Sequence, residues 1–381
     1  MEHQHHQQNN SHINQFSSSS FSSSLMIPNE NGIKVSIGIL KEIENKEIEK
    51  RCNLSLLINI LDQNPQLLSN YVYQILPILL NLLQSNDHEI VLNTFIVFEI
   101  IAIHFNPLPN EIFVQMVHQF PTLEQLSLHN DEKIQFSALT TFYFLALNYS
   151  KSIVVSKSNI VDILIQQIKQ SKDIHILQVI TCLLCTLLKC DPYDMDDQNV
   201  SMQVIDKLMD GDAYIYLNQV IIDLLNNAYD SNGSDGTTTE LLENISNIIH
   251  YTLFLILVHE NINREKSVKI YNDLINQQFI DSICKLFTQT TTTNENLLNS
   301  SLHSISIFQI IMVIHFYPKD KFSNPLRLRI IKDRNIINQL KLIKTDSTNQ
   351  EHKKISLELL KSLTLNKIEP FFYLFVLNHF K

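Results

Sequence analysis

Three cysteines in the middle of the chain have residue types that could hold a metal ion. Cys182 and Cys185 are separated by two residues and Cys190 follows shortly after them, a spacing that thiolate zinc sites use. Four tetrahedral ligands would require a second Cys pair or a nearby His, and the sequence supplies neither. The first two cysteines also lie in an apolar helical run, where Cys packs as a small hydrophobic residue. We therefore expect core packing and no metal site.

Four aspartates follow directly and could coordinate calcium: Asp191, Asp194, Asp196 and Asp197. An EF-hand loop needs Gly at its sixth position and Glu at its twelfth. A loop that begins at Asp191 or Asp194 has neither residue. The sequence therefore predicts a solvated acidic loop.

No pattern for catalysis stands out. The sequence has neither a P-loop nor a Gly-rich dinucleotide turn, and it holds only 5 Gly in 381 residues. Histidines near predicted helix ends, such as His104 and His250, show no recurring spacing with Ser, Cys or a carboxylate. We expect no catalytic residue, no cofactor and no small-molecule substrate, so the chain is predicted not to be an enzyme.

A helical pattern recurs three times and determines the predicted architecture. In each copy a short apolar helix leads through a polar turn with an aspartate into a longer apolar helix. The aspartates are Asp87, Asp131 and Asp173, which are 44 and 42 residues apart. A helical period of this length is typical of stacked arrays, in which each unit buries its face against its neighbours. The predicted helix pairs are 75–83 with 90–103, 121–128 with 134–147, and 160–168 with 174–188.

The rest of the chain extends this array less regularly. Residues 1–29 form a His/Gln/Asn/Ser-rich tail, which we predict to be disordered. Helical periodicity begins at Lys41, with a polar first helix over 42–50 that would suit a capping unit. A short helix is predicted over 221–228 and a long one over 241–258, with further pairs at 279–287 with 297–316 and at 336–343 with 354–365. Residues 30–381 are thus one repeat domain, with loop insertions near 230–239, 288–296 and 344–352.

The first copy resembles the second helix of an armadillo repeat, in which a Pro near the helix start precedes a Leu-rich stripe. Pro77 and Pro121 occupy that position, which suits Pro because an N–H in the first turn has no helical partner. The resemblance implies an all-α, right-handed superhelical solenoid of about six to seven armadillo/HEAT-like repeats. Armadillo import receptors clamp basic peptides with a Trp and Asn ladder, whose positions here hold Phe95 and Glu99. Because the chain has no Trp, we expect no such ladder.

The charge distribution marks candidate partner-binding residues. Residues 191–260 hold one basic and thirteen acidic residues, a net charge of −12, whereas residues 261–381 hold 17 basic and 10 acidic residues, a net charge of +7. Such polarity along one axis can orient a partner. The C-terminal stretch 370–380 is apolar nearly all round, and we interpret it as a closing helix or a docking segment. The candidate residues are Arg327, Arg329, Lys332, Arg334, Asp194, Asp196, Asp197, Phe371 and Phe375.

Together these features favour a non-enzymatic scaffold or adaptor that binds a protein partner along the solenoid surface. The alternative is a nucleic-acid-binding or regulatory-subunit role for the basic C-terminal third, although the acidic balance of the whole chain disfavours nucleic acid. Reduced cysteines and the lack of a run long enough to cross a bilayer indicate the cytoplasm, with the nucleus as a second compartment. Eight residues of the three clean copies are predicted to be buried: Leu79, Leu82, Ile96, Ile100, Leu126, Leu139, Leu164 and Leu183.

Overall fold

The described part of the chain consists of helices connected by short turns. The computed structural model describes residues 30–42, 47–104, 110–148, 150–190, 194–230 and 334–346, together with shorter stretches within 240–255 and 353–360 and residue 278. A 3₁₀ turn at Pro65–Leu67 precedes the third helix. The helices are α1 (Glu30–Glu42), α2 (Glu47–Gln63), α3 (Leu68–Leu82), α4 (His88–His104), α5 (Asn110–Val117), α6 (Phe120–Leu126), α7 (Glu132–Asn148), α8 (Lys151–Lys157), α9 (Ile160–Gln170), α10 (Ile174–Leu188), α11 (Met195–Asp210), α12 (Ala213–Asp230) and α13 (Arg334–Asp346).

These helices form stacked units of three. In the units α5–α6–α7 and α8–α9–α10, a short helix precedes a second helix, which packs on a long third one. The helices α11 and α12 begin another such unit, which helical residues between 240 and 255 follow. Three helices per unit is the number found in an armadillo repeat, whereas a HEAT repeat has two.

Neighbouring units are joined mainly through their long helices. The helix α2 packs on α4, α4 on α7 and α7 on α10, so these four helices form a continuous row. The core runs along this row, with Leu57, Phe98, Phe142 and Leu183 each nearly or fully buried. Because the long helices pack mainly on the long helices before and after them, the stability of the array comes largely from nearest-neighbour interfaces. Within the described residues, no helix combines the length and the apolar character that crossing a bilayer requires.

The recurring aspartates are the N-caps of the long helices. The Oδ1 atom of Asp173 accepts hydrogen bonds of 2.8 Å from the N–H groups of both His175 and Ile176. Asp87 and Asp131 accept the equivalent pairs of bonds at the starts of α4 and α7. Each aspartate therefore satisfies backbone donors that have no partner inside the helix. The repeat of 42–44 residues found in the sequence is therefore the spacing of these N-capping aspartates.

Asp87 also links two units electrostatically. Arg51 of α2 donates from Nε to Asp87 Oδ2 at 2.7 Å and from Nη1 to Glu89 at 2.8 Å. Burial alone would raise the pKa of Asp87, but the bonds from Arg51 and from the helix N–H groups hold it below its ordinary value. This contribution to stability is therefore fully present above the ordinary carboxyl pKa and is lost as the pH falls through the lowered one.

Replacing Asp173 by alanine is expected to lower the free energy of unfolding by about 1 kcal/mol, because two N–H groups at the start of α10 lose their acceptor. Urea denaturation followed by circular dichroism measures the change. Lys172→Ala, at an exposed residue just before the cap, is the control and should leave the midpoint where it is. Equal midpoints for the two variants would show that the cap contributes nothing.

Pro77 lies in the interior of α3, so the expectation that it begins a helix is wrong. The helix starts at Leu68, because Leu68 and Val72 are fully buried and extend the packed face toward the N-terminus. Proline has no N–H, so Pro77 leaves the backbone carbonyl of Tyr73 without its helical hydrogen-bond donor. Both residues are exposed, and water can therefore donate to that carbonyl oxygen. Pro121, in contrast, lies in the first turn of α6, as predicted.

Several other helix boundaries differ from the sequence prediction. The helix α1 begins at Glu30 rather than at Lys41. Of the polar helix predicted over 42–50, the structure describes the last residue of α1 and the first turn of α2, and residues 43–46 lie outside the described part. The helices α5, α8 and α11 were not predicted, and the helix expected over 221–228 spans Ala213–Asp230. The predicted insertion at 344–352 overlaps the end of α13. The pairs predicted over 279–287 and 297–316 lie outside the described residues.

Burial of the eight predicted core residues was mostly correct. Leu79, Leu139, Leu164 and Leu183 are completely buried, and Leu82 is nearly so. Leu126 and Ile100 are only half-buried. Ile96 is 41% exposed, so its predicted burial is wrong. The side of α4 that carries Ile96 faces away from the core.

Candidate binding face of the long-helix row

The helices α4 and α7 turn equivalent sides to solvent. Positions in α7 follow those in α4 by 44 residues, the spacing of their capping aspartates. With this offset Ile96, Ile100 and Ile103 correspond to Thr140, Phe144 and Leu147, which lie on the same side of the helix at intervals of three or four residues. We call this surface the α4–α7 face; it comprises Leu92, Ile96, Glu99, Ile100 and Ile103 of α4 and Phe136, Thr140, Tyr143, Phe144 and Leu147 of α7.

The α4–α7 face is strongly apolar for a solvent-accessible surface. Ile96 is 41% exposed, Ile103 47%, Phe136 39% and Leu147 44%. The remaining large side chains of the face are half-buried beside them. Single exposed apolar residues are ordinary, but a contiguous group on two neighbouring helices marks an interaction surface.

The apolar surface is limited to these two helices. On α10 the equivalent positions hold Gln178, Cys182, Thr186 and Lys189, which are polar or only weakly apolar. The exposed side chains of α2 after its first turn are Cys52, Ser55, Asn59, Asp62 and Gln63. The row of long helices therefore has an apolar segment in its middle, with polar surface before and after it.

Glu99 is the charged residue of this face. It is half-buried, and burial raises the pKa of its carboxyl group. Among the described residues its carboxylate has no hydrogen bond and no ion pair. The hydroxyl oxygen of Thr140, on the adjacent helix, is also buried without a hydrogen-bond partner. Two polar groups of the face are thus unsatisfied within the described structure, and such groups carry a cost unless a partner meets them.

Removing the charge of Glu99 is expected to stabilise the fold. Glu99→Gln should raise the free energy of unfolding at neutral pH by about 0.5–2 kcal/mol, because a half-buried carboxylate without a partner is lost. The folded pKa lies above the unfolded one, so wild type regains this stability as the pH falls through the raised pKa, and the difference between the proteins should shrink. Urea denaturation at several pH values measures it.

Glu111→Gln, at an exposed carboxylate in the first turn of α5, is the control; it should lower the free energy of unfolding slightly, by about 0.5 kcal/mol or less, and should give no gain at neutral pH. A Glu99→Gln protein no more stable than wild type at neutral pH would contradict the assignment of an uncompensated charge.

The two cysteines considered as metal ligands lie at the α10 edge of this surface. The side-chain amide of Asn244 donates to Cys182 Sγ, and Cys185 Sγ donates to the Asn244 carbonyl, both at 3.1 Å. Burial, together with these thiols and Glu240, raises the pKa of Tyr143 to about 12. Cys182 and Cys185 are partly buried rather than fully in the core, and Cys185 packs against the core cluster, so the prediction of core packing is partly confirmed. Within the described residues no three His, Cys, Asp or Glu side chains come together as a metal site would require.

Three of the four aspartates of the predicted acidic loop lie at the start of a helix, and Asp191 lies outside the described residues. Asp194 is the N-cap of α11 and accepts from the N–H groups of Asp196 and Asp197. Its side chain and that of Asp196 are exposed. Asp197 turns inward and forms an ion pair of 2.8 Å with the buried Lys151 of α8. A sequence window cannot show this, because the two residues are 46 positions apart.

The remaining predicted partner-binding residues lie elsewhere. Arg334 is the first residue of α13. Arg327, Arg329, Lys332, Phe371 and Phe375 lie outside the described residues. The grouping of these residues at one binding site stays a prediction. Of the two residues that the armadillo resemblance matched to the peptide-clamping ladder, Phe95 is buried and Glu99 lies on the α4–α7 face.

Comparisons with known proteins agree with this architecture. No protein-family model matches the chain, and no curated protein matches its sequence. Among solved structures, Uso1-1 superimposes with a TM-score of 0.54 at 12% identity, over 87% of this chain and 55% of that one. An engineered protein gives 0.50 at 13% identity, over 76% and 98%. A designed armadillo repeat protein gives 0.49 at 15% identity, over 76% and 100%.

At these identities a likeness shows the fold alone. The two structures that reach a TM-score of 0.5 and the stacking of the helices agree on that fold. The chain is an all-α solenoid that resembles armadillo and HEAT repeat proteins.

Proposed function

We propose that this chain is a non-enzymatic scaffold or adaptor that binds a segment of a protein partner along the row of long helices. The observation that carries the proposal is the α4–α7 face, where large apolar side chains lie uncovered on two adjacent helices. Burying that surface against a partner would be favourable by about 25 cal/mol for each Å² of apolar area removed from water. The apolar centre between polar flanks has the layout of a binding surface with a polar rim.

The geometry of the row favours an elongated partner segment. Packed helices lie about 8–10 Å apart, and an extended chain advances about 3.3 Å per residue. A segment that crosses the row would therefore meet a new helix about every three residues. Its side chains could contact α4 and α7 in turn, which is how an extended peptide uses a repeated surface.

The alternatives drawn from the sequence have less support. A nucleic-acid or regulatory-subunit role would use the basic C-terminal third, and of its four candidate residues only Arg334 lies in a described helix. On the α4–α7 face itself, the one charged residue is acidic and would repel phosphate. Binding of a protein segment is the function that the described geometry supports best.

Selection of random twelve-residue peptides displayed on phage, with the full chain as bait, tests this proposal. Binders are expected, and their affinity should fall at least tenfold for the double variant Ile96→Gln/Phe136→Gln, which loses two central apolar contacts. Glutamine is well tolerated in helices and both sites are exposed, so the fold should be kept.

The matched control is Tyr73→Gln/Val114→Gln, because these side chains are 52% and 54% exposed on α3 and α5. It should bind the selected peptides as tightly as wild type. A selection without binders, or binders that do not distinguish the two double variants, would overturn the proposal.

A further inference from the structure

Glu99 lies on the apolar α4–α7 face and has no hydrogen bond or ion pair with a described residue, unlike Glu89 and Glu240 along the same row. Glu89, one residue after the start of α4, accepts a bond of 2.8 Å from Arg51. Glu240, beyond α10, accepts a bond of 2.6 Å from the side-chain amide of Gln178. Glu99 has only apolar neighbours on its own face of α4, namely Ile96, Ile100 and Ile103. The uncompensated charge lies where the surface is most apolar.

We infer that the α4–α7 face receives a peptide segment in which one lysine or arginine pairs with Glu99 and apolar residues beside it pack on Phe136, Phe144 and Leu147. This inference rests on the proposed function, and it specifies the chemistry of the partner at that same surface.

Charge complementarity is the reason for choosing a cation. A half-buried carboxylate is poorly solvated, and a bound ammonium or guanidinium group would supply the missing opposite charge and hydrogen bonds. Attraction is stronger there than on an open surface, because apolar side chains keep water away. The aliphatic stem of lysine or arginine could lie along Ile100 and Ile103 while its charged end reaches Glu99.

The same surface discriminates against other occupants. An acidic segment would bring two carboxylates together, and like charges at short range in an interface repel each other. A wholly apolar segment would bury Glu99 without compensation, which is also costly. A strongly polybasic segment would form an ion pair at Glu99 only, because the neighbouring positions of α7 are apolar.

The geometry also predicts the order of residues in the partner. If the cation meets α4, an extended chain reaches α7 about three residues later. Successive side chains of an extended chain point to opposite sides, so an apolar residue is expected two or four positions from the cation on one side. The other side faces α2, whose exposed residues are polar, so no apolar residue is required there.

The experiment uses the twelve-residue phage peptides selected on the full wild-type chain. The selected sequences are expected to share a lysine or arginine with an apolar residue two or four positions away. Glu99→Gln should weaken their binding about 10- to 100-fold, the effect of removing one charged partner from a hydrogen-bonded pair. Glu111→Gln is the matched control and should bind unchanged. Glu99→Lys should bind peptides in which the shared cation is replaced by glutamate. Binding restored by this reversal of both charges would show a direct charge pair, because a general loss of packing would not be rescued.

The outcomes separate the two proposals. Peptides that need Ile96 and Phe136, but share no cation and bind Glu99→Gln as well as wild type, would overturn this inference and leave the proposed function in place. An absence of selected peptides would overturn both. Binding of acidic peptides to the wild-type face would contradict the charge argument directly.

Discussion

Leu139→Ala is expected to lower the free energy of unfolding by about 2–5 kcal/mol. Leu139 is completely buried in α7, which packs against α4 on one side and α10 on the other. Truncation therefore leaves a cavity at the centre of the row, where closely packed helices can relax only partly. Because each unit is held by its neighbours, the loss weakens two interfaces at once.

Leu147→Ala is the control for this prediction, since Leu147 lies on the same helix but is 44% exposed on the α4–α7 face. It should change stability by about 0.5 kcal/mol or less. Urea denaturation of the two variants, followed by circular dichroism, compares them. If Leu139→Ala unfolds at the same urea concentration as Leu147→Ala, the assignment of buried and open sides of α7 is wrong.

Lys151→Met is expected to destabilise the chain by about 3–5 kcal/mol. The ammonium group of Lys151 contacts Asp197 at 2.8 Å and Ser201 at 3.0 Å, and it also donates to the backbone carbonyl of Lys189. It therefore links α8, α11 and the turn after α10 inside the protein. Methionine has a similar length but leaves the Asp197 carboxylate and the carbonyl without a donor.

Two further variants isolate the charge pair. Lys157→Met, at an exposed lysine on the same short helix, should have little effect. Adding Asp197→Asn to Lys151→Met should recover part of the loss, because the unpaired buried charge is removed. Equal thermal midpoints for Lys151→Met and Lys157→Met would show that the buried contacts do not hold these helices together.

Much of the fold could be predicted from local sequence because its main signal is local. An aspartate accepts hydrogen bonds from residues two and three positions later, so the caps of α4, α7 and α10 leave the same short pattern each time. The helices α5 and α8 were missed because they are short and no aspartate directly precedes them in the sequence. The helix α11 was missed because a cluster of aspartates in the sequence suggests a solvated loop. The sequence does not show that Asp194 is an N-cap or that Asp197 pairs with Lys151.

The binding face could not be predicted for a different reason. Both α4 and α7 carry apolar residues nearly all round, so helical spacing cannot tell the side that neighbouring units cover from the side that stays open. Ile96 was therefore expected in the core, and Glu99 was considered only through the armadillo resemblance. The side of each helix that stays exposed to solvent depends on how the units stack. The stacking is determined by contacts between residues that are distant in sequence.

The most direct measurement is a crystal structure of the full chain bound to a peptide selected from the random library. The account predicts that the peptide crosses α4 and α7, with apolar side chains on Ile96 and Phe136 and a lysine or arginine nitrogen within about 4 Å of the Glu99 carboxylate. A peptide bound on another surface, with the α4–α7 face still open to solvent, would contradict it.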